Sequence, residues 1–233
     1  MKKKMVVLTG AGISAESGLR TFRDSDGLWE GYEVTEVATP RAWKKNPSLV
    51  LDFYNMRRRD VAAATPNAAH AGLAELEKLV DLTIVTQNID DLHERAGSSK
   101  VMHLHGSIFR MRSDDDEETL YEIRDDMMPG DKAPDGSFLR PAIVWFEEAV
   151  PMIGMASAVI EEADLFAIVG TSLVVYPAAG LIHYTRPGIP LFIVDKKLPD
   201  VRLNNLVRIE KPATEGVQEL VQLVKAIVGE MES

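Results

Sequence analysis

The stretch Met5-Val-Val-Leu-Thr-Gly10-Ala-Gly12-Ile-Ser14-Ala15 decides the fold class of this chain. An apolar run leads directly into a G-x-G-x-x-A turn. Glycines at this spacing permit a tight turn after a buried strand, and the helix that follows has its amino end where a diphosphate can bind. The stretch therefore predicts a first parallel strand followed by a dinucleotide site. A glycine turn that binds no ligand is the alternative.

Further apolar runs, rich in Val and Ile, alternate with helical patterns along the chain. The predicted strands are Met5–Thr9, Leu82–Thr86, Val101–Leu104, Ala142–Phe146, Leu165–Val169, Leu191–Val194 and Leu206–Ile209. The predicted helices are a segment from about Pro47 to Ala64, Ala68–Val80 after an Asn67 cap, and a last helix with apolar positions from Val217 to Val228. Strands with little polar alternation are typical of a parallel sheet covered on both faces. The pattern thus predicts an α/β fold with a doubly wound, mostly parallel, Rossmann-like sheet.

Two segments interrupt this alternation. Residues 20–66 show no clear strand, and residues 107–140 are polar and acidic, with the run Asp114–Glu118 and several Pro-Gly-type turns. We interpret both as inserts that form a small second lobe. The chain is therefore predicted to be one domain over residues 1–233. Its large lobe is assigned to residues 1–19, 67–106 and 141–233, and its small lobe to residues 20–66 and 107–140.

Composition excludes several classes of function. The 233 residues carry 26 Lys and Arg against 36 Asp and Glu, a net charge of −10, and contain no cysteine. The absence of cysteine rules out disulfides, thiol nucleophiles and cysteine-ligated metal sites. An acidic chain is a poor generic ligand for nucleic acid or anionic membranes, and no apolar run approaches a membrane span. We expect a cytoplasmic protein with neither nucleic acid nor membrane as a partner.

The region after the glycine turn argues against hydride transfer. A dehydrogenase of this fold needs a second strand that ends in Asp or Glu about 20 residues further on. That place holds Arg20-Thr-Phe-Arg-Asp-Ser-Asp-Gly-Leu-Trp29, which has no strand pattern. The dinucleotide site is therefore predicted to serve another reaction.

Five motifs, in one order, resemble the sirtuins, which are NAD-dependent protein lysine deacylases. They are the stretches Gly10–Asp24, Thr86–Asp90, Leu104–Gly106, Arg140–Phe146 and Gly170–Leu173. The resemblance spans residues 5 to about 213, and five motifs in the family's order are specific where one is weak. It implies that acylated lysine side chains of proteins are the substrates. The acyl oxygen would attack the ribose carbon of NAD and expel nicotinamide, and the acyl group would end as 2′-O-acyl-ADP-ribose. An ADP-ribose-binding module without catalysis and a mono-ADP-ribosyltransferase are the alternatives.

The resemblance also implies which residues contact NAD. They are Gly10, Ala11, Gly12, Ser14, Ala15, Phe22, Arg23, Trp29, Gln87, Asn88, Ile89, Asp90, Gly170, Thr171, Ser172, Asp195, Lys196, Lys197 and Ala213. Phe22 would shield the reactive sugar carbon from water, and Asp90 would contact the nicotinamide carboxamide. Asn88 and Asp90 could instead serve only as helix caps. Asp195 stands where the family usually has Asn, so it can accept hydrogen bonds but not donate them.

His105 is the predicted general base, and Asn88 is the second predicted catalytic residue. Histidine titrates near neutral pH and can take a proton from a ribose hydroxyl. His103 would point to the same side of a strand as His105, so the two could also hold a metal, although no third ligand is evident. The remaining three histidines are predicted to be structural.

A helical pair suggests which acyl group is removed. Tyr54 and Arg57 are three residues apart and share a helix face. This Tyr-x-x-Arg resembles the class III sirtuins, which remove succinyl and malonyl groups. A guanidinium fork binds a carboxylate through two bonds, and a phenol adds one donor. Arg58 and Arg59 are predicted to lie on a solvated face.

The segment Val144, Trp145 and Phe146 would bind the substrate. By resemblance it is an edge that pairs with an extended peptide. The family usually continues with Gly, where this chain has Glu147.

The small lobe lacks the metal that the resemblance would suggest. Most sirtuins hold a structural zinc there with four cysteines, and residues 107–140 contain neither cysteine nor histidine. No zinc and no other metal is expected. The acidic run is predicted to be a solvated loop, and the lobe to be small, mobile and held by its own packing.

Overall fold

The computed structural model describes residues 2–20, 28–29, 31–116, 118–201 and 203–232. Its strands are β1 Lys4–Thr9, β2 Leu28–Trp29, β3 Tyr32–Glu33, β4 Asp81–Thr86, β5 Val101–His103, β6 Gly106–Ser113, β7 Leu120–Glu122, β8 Leu139–Ile143, β9 Leu165–Val169, β10 Leu191–Asp195 and β11 Leu206–Glu210. Its α-helices are α1 Gly12–Ala15, α2 Val34–Val37, α3 Pro40–Lys45, α4 Pro47–Ala63, α5 Ala68–Leu76, α6 Leu92–Arg95, α7 Ile153–Glu161 and α8 Ala213–Glu232, and a 3₁₀-helix covers Ala178–Tyr184.

A parallel sheet forms the centre of the molecule, with the strand order β11-β10-β9-β1-β4-β5. Helices α5 and α8 pack on one face, and α7 and the 3₁₀-helix pack on the other. Strands β9 and β10 are buried at every position, which explains why they read as continuous apolar runs rather than alternating ones. The predicted doubly wound, mostly parallel fold is confirmed. No helix among the described residues is long and apolar enough to cross a membrane.

A second, antiparallel sheet corrects one of the predicted strands. The strand predicted at Ala142–Phe146 runs instead over Leu139–Ile143, and it pairs with β6 in the order β7-β6-β8, outside the parallel sheet. The pairing is lost after Val144, which still donates to His105 O: the next N–H groups, of Trp145 and Phe146, donate to Glu148 Oε2 and Ala38 O instead. A short apolar run does not reveal which sheet it joins. The division into two lobes at residues 106 and 141 stays a prediction.

Helix α4 is more buried than its sequence indicates. Phe53 and Tyr54 lie in an aromatic core with Trp29, Tyr32, Trp43 and Trp145. The prediction that Arg58 is solvated is wrong, because its side chain is fully buried and donates to backbone carbonyls. Arg59 does lie on the surface, where it pairs with Asp126.

Candidate active site

A cleft of about 500 Å³ opens at the carboxyl ends of β1, β4, β9 and β10. This is where ligands bind in open α/β sheets, and the volume is ordinary for a small-molecule site. Every predicted site residue that the structure describes lines this cleft. Phe22 and Arg23 lie outside the described residues. Sequence positions as distant as Gly10 and Ala213 therefore meet in one place, although their individual roles stay predictions.

The turn at Gly10–Gly12 needs glycine because its backbone is in close contact with the end of strand β9. A Cβ on Gly12 would lie 2.7 Å from the carbonyl oxygen of Gly170, and one on Gly170 would lie 2.3 Å from the nitrogen of Ile13. Gly170 also has a φ of 65°, which favours glycine. The N–H of Gly12 donates to Gly170 O at 2.8 Å. The glycines thus allow two backbone turns to touch at the floor of the cleft, a reason for them that does not depend on a bound phosphate.

Three polar side chains form a buried chain of hydrogen bonds beside this turn. The Asn88 amide nitrogen donates to Gly10 O at 3.2 Å and to Ser14 Oγ at 3.1 Å, and Ser14 Oγ donates to Asp90 Oδ2 at 3.0 Å. Burial raises the pKa of Asp90, while its bonds from Leu92 N–H and Ser14 oppose that rise. The Leu92 N–H donates to Asp90 Oδ1 at 3.2 Å, while the cap position of α6 itself is Asp91, which makes no side-chain cap bond. The chain fixes the Asn88 and Asp90 side chains at the cleft wall.

His105 is held in the tautomer that a base requires. Its Nδ1 lies 2.9 Å from Gln87 O. A carbonyl oxygen only accepts, so Nδ1 carries the proton and Nε2 keeps its lone pair. Burial lowers the pKa of His105, although the bond to Gln87 opposes this. A neutral imidazole with an open lone pair at pH 7 can accept a proton.

His103 has a different environment and is not paired with His105 for a metal. Its Nδ1 lies 2.9 Å from Asn88 O and its Nε2 lies 2.7 Å from Glu94 Oε1, so both nitrogens act as donors. Burial opposes the charged form, but Glu94 and the Asn88 carbonyl outweigh it, and the pKa of His103 is raised. Within the described ranges, no three His, Asp or Glu side chains come together as metal ligands do.

Tyr54 and Arg57 lie together in the wall of the cleft. Both side chains are almost fully buried. The Tyr54 hydroxyl makes no hydrogen bond of ordinary geometry to a described residue, and burial raises its pKa, although the neighbouring Trp145 side chain opposes the rise. The Arg57 guanidinium lies 5.7 Å from the centre of the Trp29 ring, and its Nη1 is 3.9 Å from Asp60 Oδ2. Helix α4 thus presents a phenol and a cation to the cleft, in apolar surroundings.

The predicted peptide-binding segment is less open than an edge strand. The N–H groups of Val144 and Phe146 are bonded to His105 O and Ala38 O, and the N–H of Trp145 donates to Glu148 Oε2 at 2.7 Å. A peptide can therefore pair only with carbonyl groups of this segment. Substrate binding by this segment stays a prediction, in which the segment contributes only its carbonyl oxygens.

Glu147 retains the backbone shape for which the family uses glycine. Its φ is 74°, in the left-handed region that is costly for a residue with a Cβ. Its carboxylate pairs with Arg41 of α3 at the rim of the cleft. Glu147 therefore combines a glycine-like turn with an ion pair from its side chain.

Arg140 and Glu148 form a buried pair that the sequence analysis missed as part of the site. Arg140 donates two bonds to the Glu148 carboxylate, at 2.8 and 3.1 Å, and a third to Ile143 O at 3.1 Å. Its guanidinium carbon lies 3.4 Å from the centre of the Trp145 ring. The pair braces the segment 144–146 from behind. The signal was present, since Arg140 opens the fourth motif and Glu148 follows it closely.

Further cleft residues were also missed. They are Leu19, Arg20, Ala38, Glu147, Val150, Val174, Val175 and Tyr176. Val174, Tyr176 and Phe146 are exposed and form an apolar rim. The run Leu173-Val-Val-Tyr176 directly after the fifth motif was the available signal, because it is apolar yet follows a strand end.

The fold and the cleft define a nucleotide-binding enzyme of the doubly wound α/β class. The sequence model of the Sir2 family matches residues 10–177. An NAD-dependent protein deacylase of Helicobacter pylori is 50% identical over 220 residues, which cover 94% of this chain and 96% of that protein. A solved Sir2 homolog–NAD complex has a TM-score of 0.87 at 38% identity, covering 97% of this chain and 91% of the other. A Sir2 bound to acetylated peptide has a TM-score of 0.79 at 31% identity, covering 95% and 93%.

This chain belongs to the Sir2 family. The predicted family and the predicted cofactor, NAD, are confirmed. The class of enzyme is that of an NAD-dependent protein deacylase. The comparisons do not distinguish one acyl group from another.

Proposed function

We propose that this chain removes acyl groups from lysine side chains of proteins at the expense of NAD, and that malonyl and succinyl groups are among its good substrates. NAD-dependent protein deacylation is the activity named for the Helicobacter relative. A single observation supports the removal of malonyl and succinyl groups: Tyr54 and Arg57 lie buried in the same cleft as His105.

The residues that line the cleft are suited to binding NAD. Buried acceptors line it, including the Asp90 and Asp195 carboxylates, and the backbone of the Gly10–Gly12 turn forms its floor. When bound, NAD would supply the ribose carbon that bonds to the acyl oxygen as nicotinamide leaves, and the ribose hydroxyl to which the acyl group passes from the lysine. The Gln87 amide donates to Thr171 Oγ1 at 3.1 Å, and this bond fixes the Gln87 side chain beside the end of β9.

His105 supplies the base. Its Nε2 lone pair can take the proton of a ribose hydroxyl, and Gln87 O holds the ring in that tautomer throughout. Because burial lowers the pKa of His105, the residue stays neutral somewhat below pH 6.5, and we expect the acid limb of the rate profile to lie there. Loss of a general base typically costs about 10²–10⁴-fold in rate.

Arg57 selects the acyl group by charge. An acyl carboxylate at the buried end of the cleft would form charge-assisted bonds with the guanidinium, and the Tyr54 hydroxyl would donate one more. An acetyl group carries no carboxylate with which to form these bonds. Removing one member of a buried charge pair costs about 3–5 kcal/mol, and contacts of Arg57 with Trp29 and Asp60 reduce the part attributable to the acyl group.

The test compares acetyl-, malonyl- and succinyl-lysine peptides by mass spectrometry, with and without NAD. In Arg57→Met, we expect desuccinylation to fall by roughly a hundredfold while deacetylation is kept, because about 2.7 kcal/mol of differential binding is lost. Tyr54→Phe should act in the same direction and more weakly. Arg59→Met is the matched control, since Arg59 lies on the same helix with an exposed side chain.

Two outcomes would contradict the proposal. Equal loss of all three activities in Arg57→Met would assign that residue to structure rather than to the acyl group. Normal turnover in His105→Ala would show that His105 is not the general base. Binding of ADP-ribose without release of nicotinamide from NAD would favour a non-catalytic module.

A further inference from the structure

Arg58 is the largest fully buried side chain of the described residues. It lies on α4, next to Arg57 in sequence but turned away from the cleft. Its Nε donates to Ile108 O at 2.9 Å, and its Nη1 donates to Asp125 O at 3.2 Å and to Asn55 Oδ1 at 2.7 Å. One side chain thus joins the helix to two segments that are 50 and 67 residues away in sequence.

Asn55 completes the connection one turn earlier on the same helix. Its amide nitrogen donates to Met127 O at 2.8 Å, and its amide oxygen accepts from Met127 N at 2.9 Å. This side chain therefore pairs with both backbone groups of one residue, as a neighbouring strand would. Asn55 and Arg58, bonded to each other, form what we call the α4 staple.

The staple reaches the catalytic region through β6. Ile108 accepts from Arg58 through its carbonyl, and its N–H donates to Ile89 O at 2.9 Å. Ile89 belongs to the loop 87–90, which lines the NAD cleft, and β6 begins directly after His105. A short path of hydrogen bonds therefore runs from α4 to both the cofactor loop and the strand that follows the base.

We propose that Arg58 is a positioning residue for the reaction, which sets the distance between helix α4, with its acyl-binding side chains, and the segment that carries His105. Asn55 fixes the same helix to the loop at Met127. The chain has no cysteine with which to clamp this region through a metal, and the staple supplies a rigid polar connection instead.

The chemistry of the contacts supports a fixed position. A guanidinium is a planar fork with several donors, so it can bind two carbonyls and an amide oxygen at once and hold their relative geometry. Burial lowers the pKa of Arg58 to about 10, so the side chain still carries its charge at neutral pH. A buried carbonyl such as that of Ile108 is left unsatisfied when it loses a charged donor, which makes the arrangement hard to replace.

The first arm of the test needs neither substrate nor NAD. Hydrogen exchange of the free protein is followed in Arg58→Lys and Asn55→Ala, with Arg59→Met as the control over residues 106–113, because Arg59 itself pairs with Asp126 in the other segment. Loss of one hydrogen bond to a charged group corresponds to roughly a tenfold increase in exchange or more. We expect that increase over residues 106–113 and 120–128, with the central strands β9 and β10 unchanged.

The second arm measures KM, and its acyl part rests on the proposed function. In Arg58→Lys the KM for an acetyl-lysine peptide should rise by about tenfold, because the acyl-binding helix is no longer held against β6. The KM for NAD should change by no more than about twofold, since Ile89 is the one cleft residue on the described hydrogen-bond path from Arg58, and the other predicted nucleotide contacts lie mainly at the ends of the parallel strands. Arg59→Met should leave both values unchanged.

The inference is overturned if Arg58→Lys behaves like Arg59→Met in both arms. It is also overturned if exchange increases equally in both sheets and the two KM values rise together, because that pattern marks general loss of stability. Failure of the proposed acyl preference looks different: Arg57→Met would then leave succinyl turnover intact, while the exchange result and the acetyl-peptide KM would still report on Arg58.

Discussion

The buried pair between Arg140 and Glu148 offers the sharpest test of how the cleft is held together. Arg140 is 5% exposed and makes two bonds to the carboxylate, one bond to Ile143 O and a stacking contact with Trp145. The Glu148 side chain is 21% exposed, and it also accepts the N–H of Trp145. Removing either side chain therefore disturbs the same segment from two directions.

The expected cost follows from burial. Breaking a fully buried pair costs about 3–5 kcal/mol, and the partial exposure of Glu148 lowers this to about 2–4 kcal/mol for Arg140→Met. For a chain of this length, 1 kcal/mol shifts the Tm by about 2–4 °C, so a fall of roughly 5–15 °C is expected. Glu148→Gln keeps one acceptor oxygen, but it replaces the other with an amide NH2 that cannot accept from Arg140 and removes the negative charge, so it should also destabilise the protein.

A double-mutant cycle separates the pair from its surroundings. Urea unfolding of Arg140→Met, Glu148→Gln and the double variant should give a coupling of about 1–3 kcal/mol. The exposed pair Lys211–Glu219 is the matched control, and its coupling should lie below about 1 kcal/mol. The KM for an acyl-lysine peptide should rise in Arg140→Met, because segment 144–146 loses its support. A coupling no larger than that of the control pair would refute this account of the loop.

Three further predictions concern strain, pH and metal. Since Glu147 has a φ of 74°, Glu147→Gly should be more stable than Glu147→Ala by about 1 kcal/mol, measured by urea unfolding, and equal stability would deny the strain. Burial lowers the pKa of His70 to about 4, below the roughly 6.5 of an unfolded histidine, so the unfolded state binds the proton first. Protonation of His70 should therefore lower the free energy of unfolding by roughly 3 kcal/mol as the pH falls from about 6.5 to 4. His70→Gln keeps an acceptor for the Asn67 N–H and cannot be protonated, so this contribution to the pH dependence should disappear in that variant. A chelator should leave the Tm and the deacylation rate unchanged, and stoichiometric zinc by elemental analysis would contradict the expectation from a cysteine-free chain.

Local pattern predicted much of the large parallel sheet. The run Leu165–Val169 was predicted with its exact bounds, and the Gly10–Gly12 turn was correctly placed at a strand end. These elements are buried on both faces, so their apolar composition is itself the signal. The helix predicted at Ala68–Val80 ends at Leu76, because an apolar face alone does not mark where a helix stops.

The errors have a common physical origin. Arg58 was predicted to be solvated because a basic triplet on a helix normally faces water, yet its buried partners are backbone carbonyls, which any residue type supplies. Ala142–Phe146 was predicted as one strand, although the N–H groups of Trp145 and Phe146 donate to Glu148 and Ala38 rather than to β6. In both cases the partner groups are distant in the chain, so the local sequence does not reveal them.

The sequence by itself determined the α/β class, the family and the identity of most cleft residues, because strand-end motifs and strand composition are local properties. The tertiary structure alone decided that Arg58 is a connection rather than a surface charge, that Arg140 and Glu148 brace the segment 144–146, and that Glu147 adopts a glycine-like turn. These depend on carbonyls and carboxylates brought together from distant parts of the chain. Such contacts form only when the sheet and helix α4 have packed, so no window of sequence contains them.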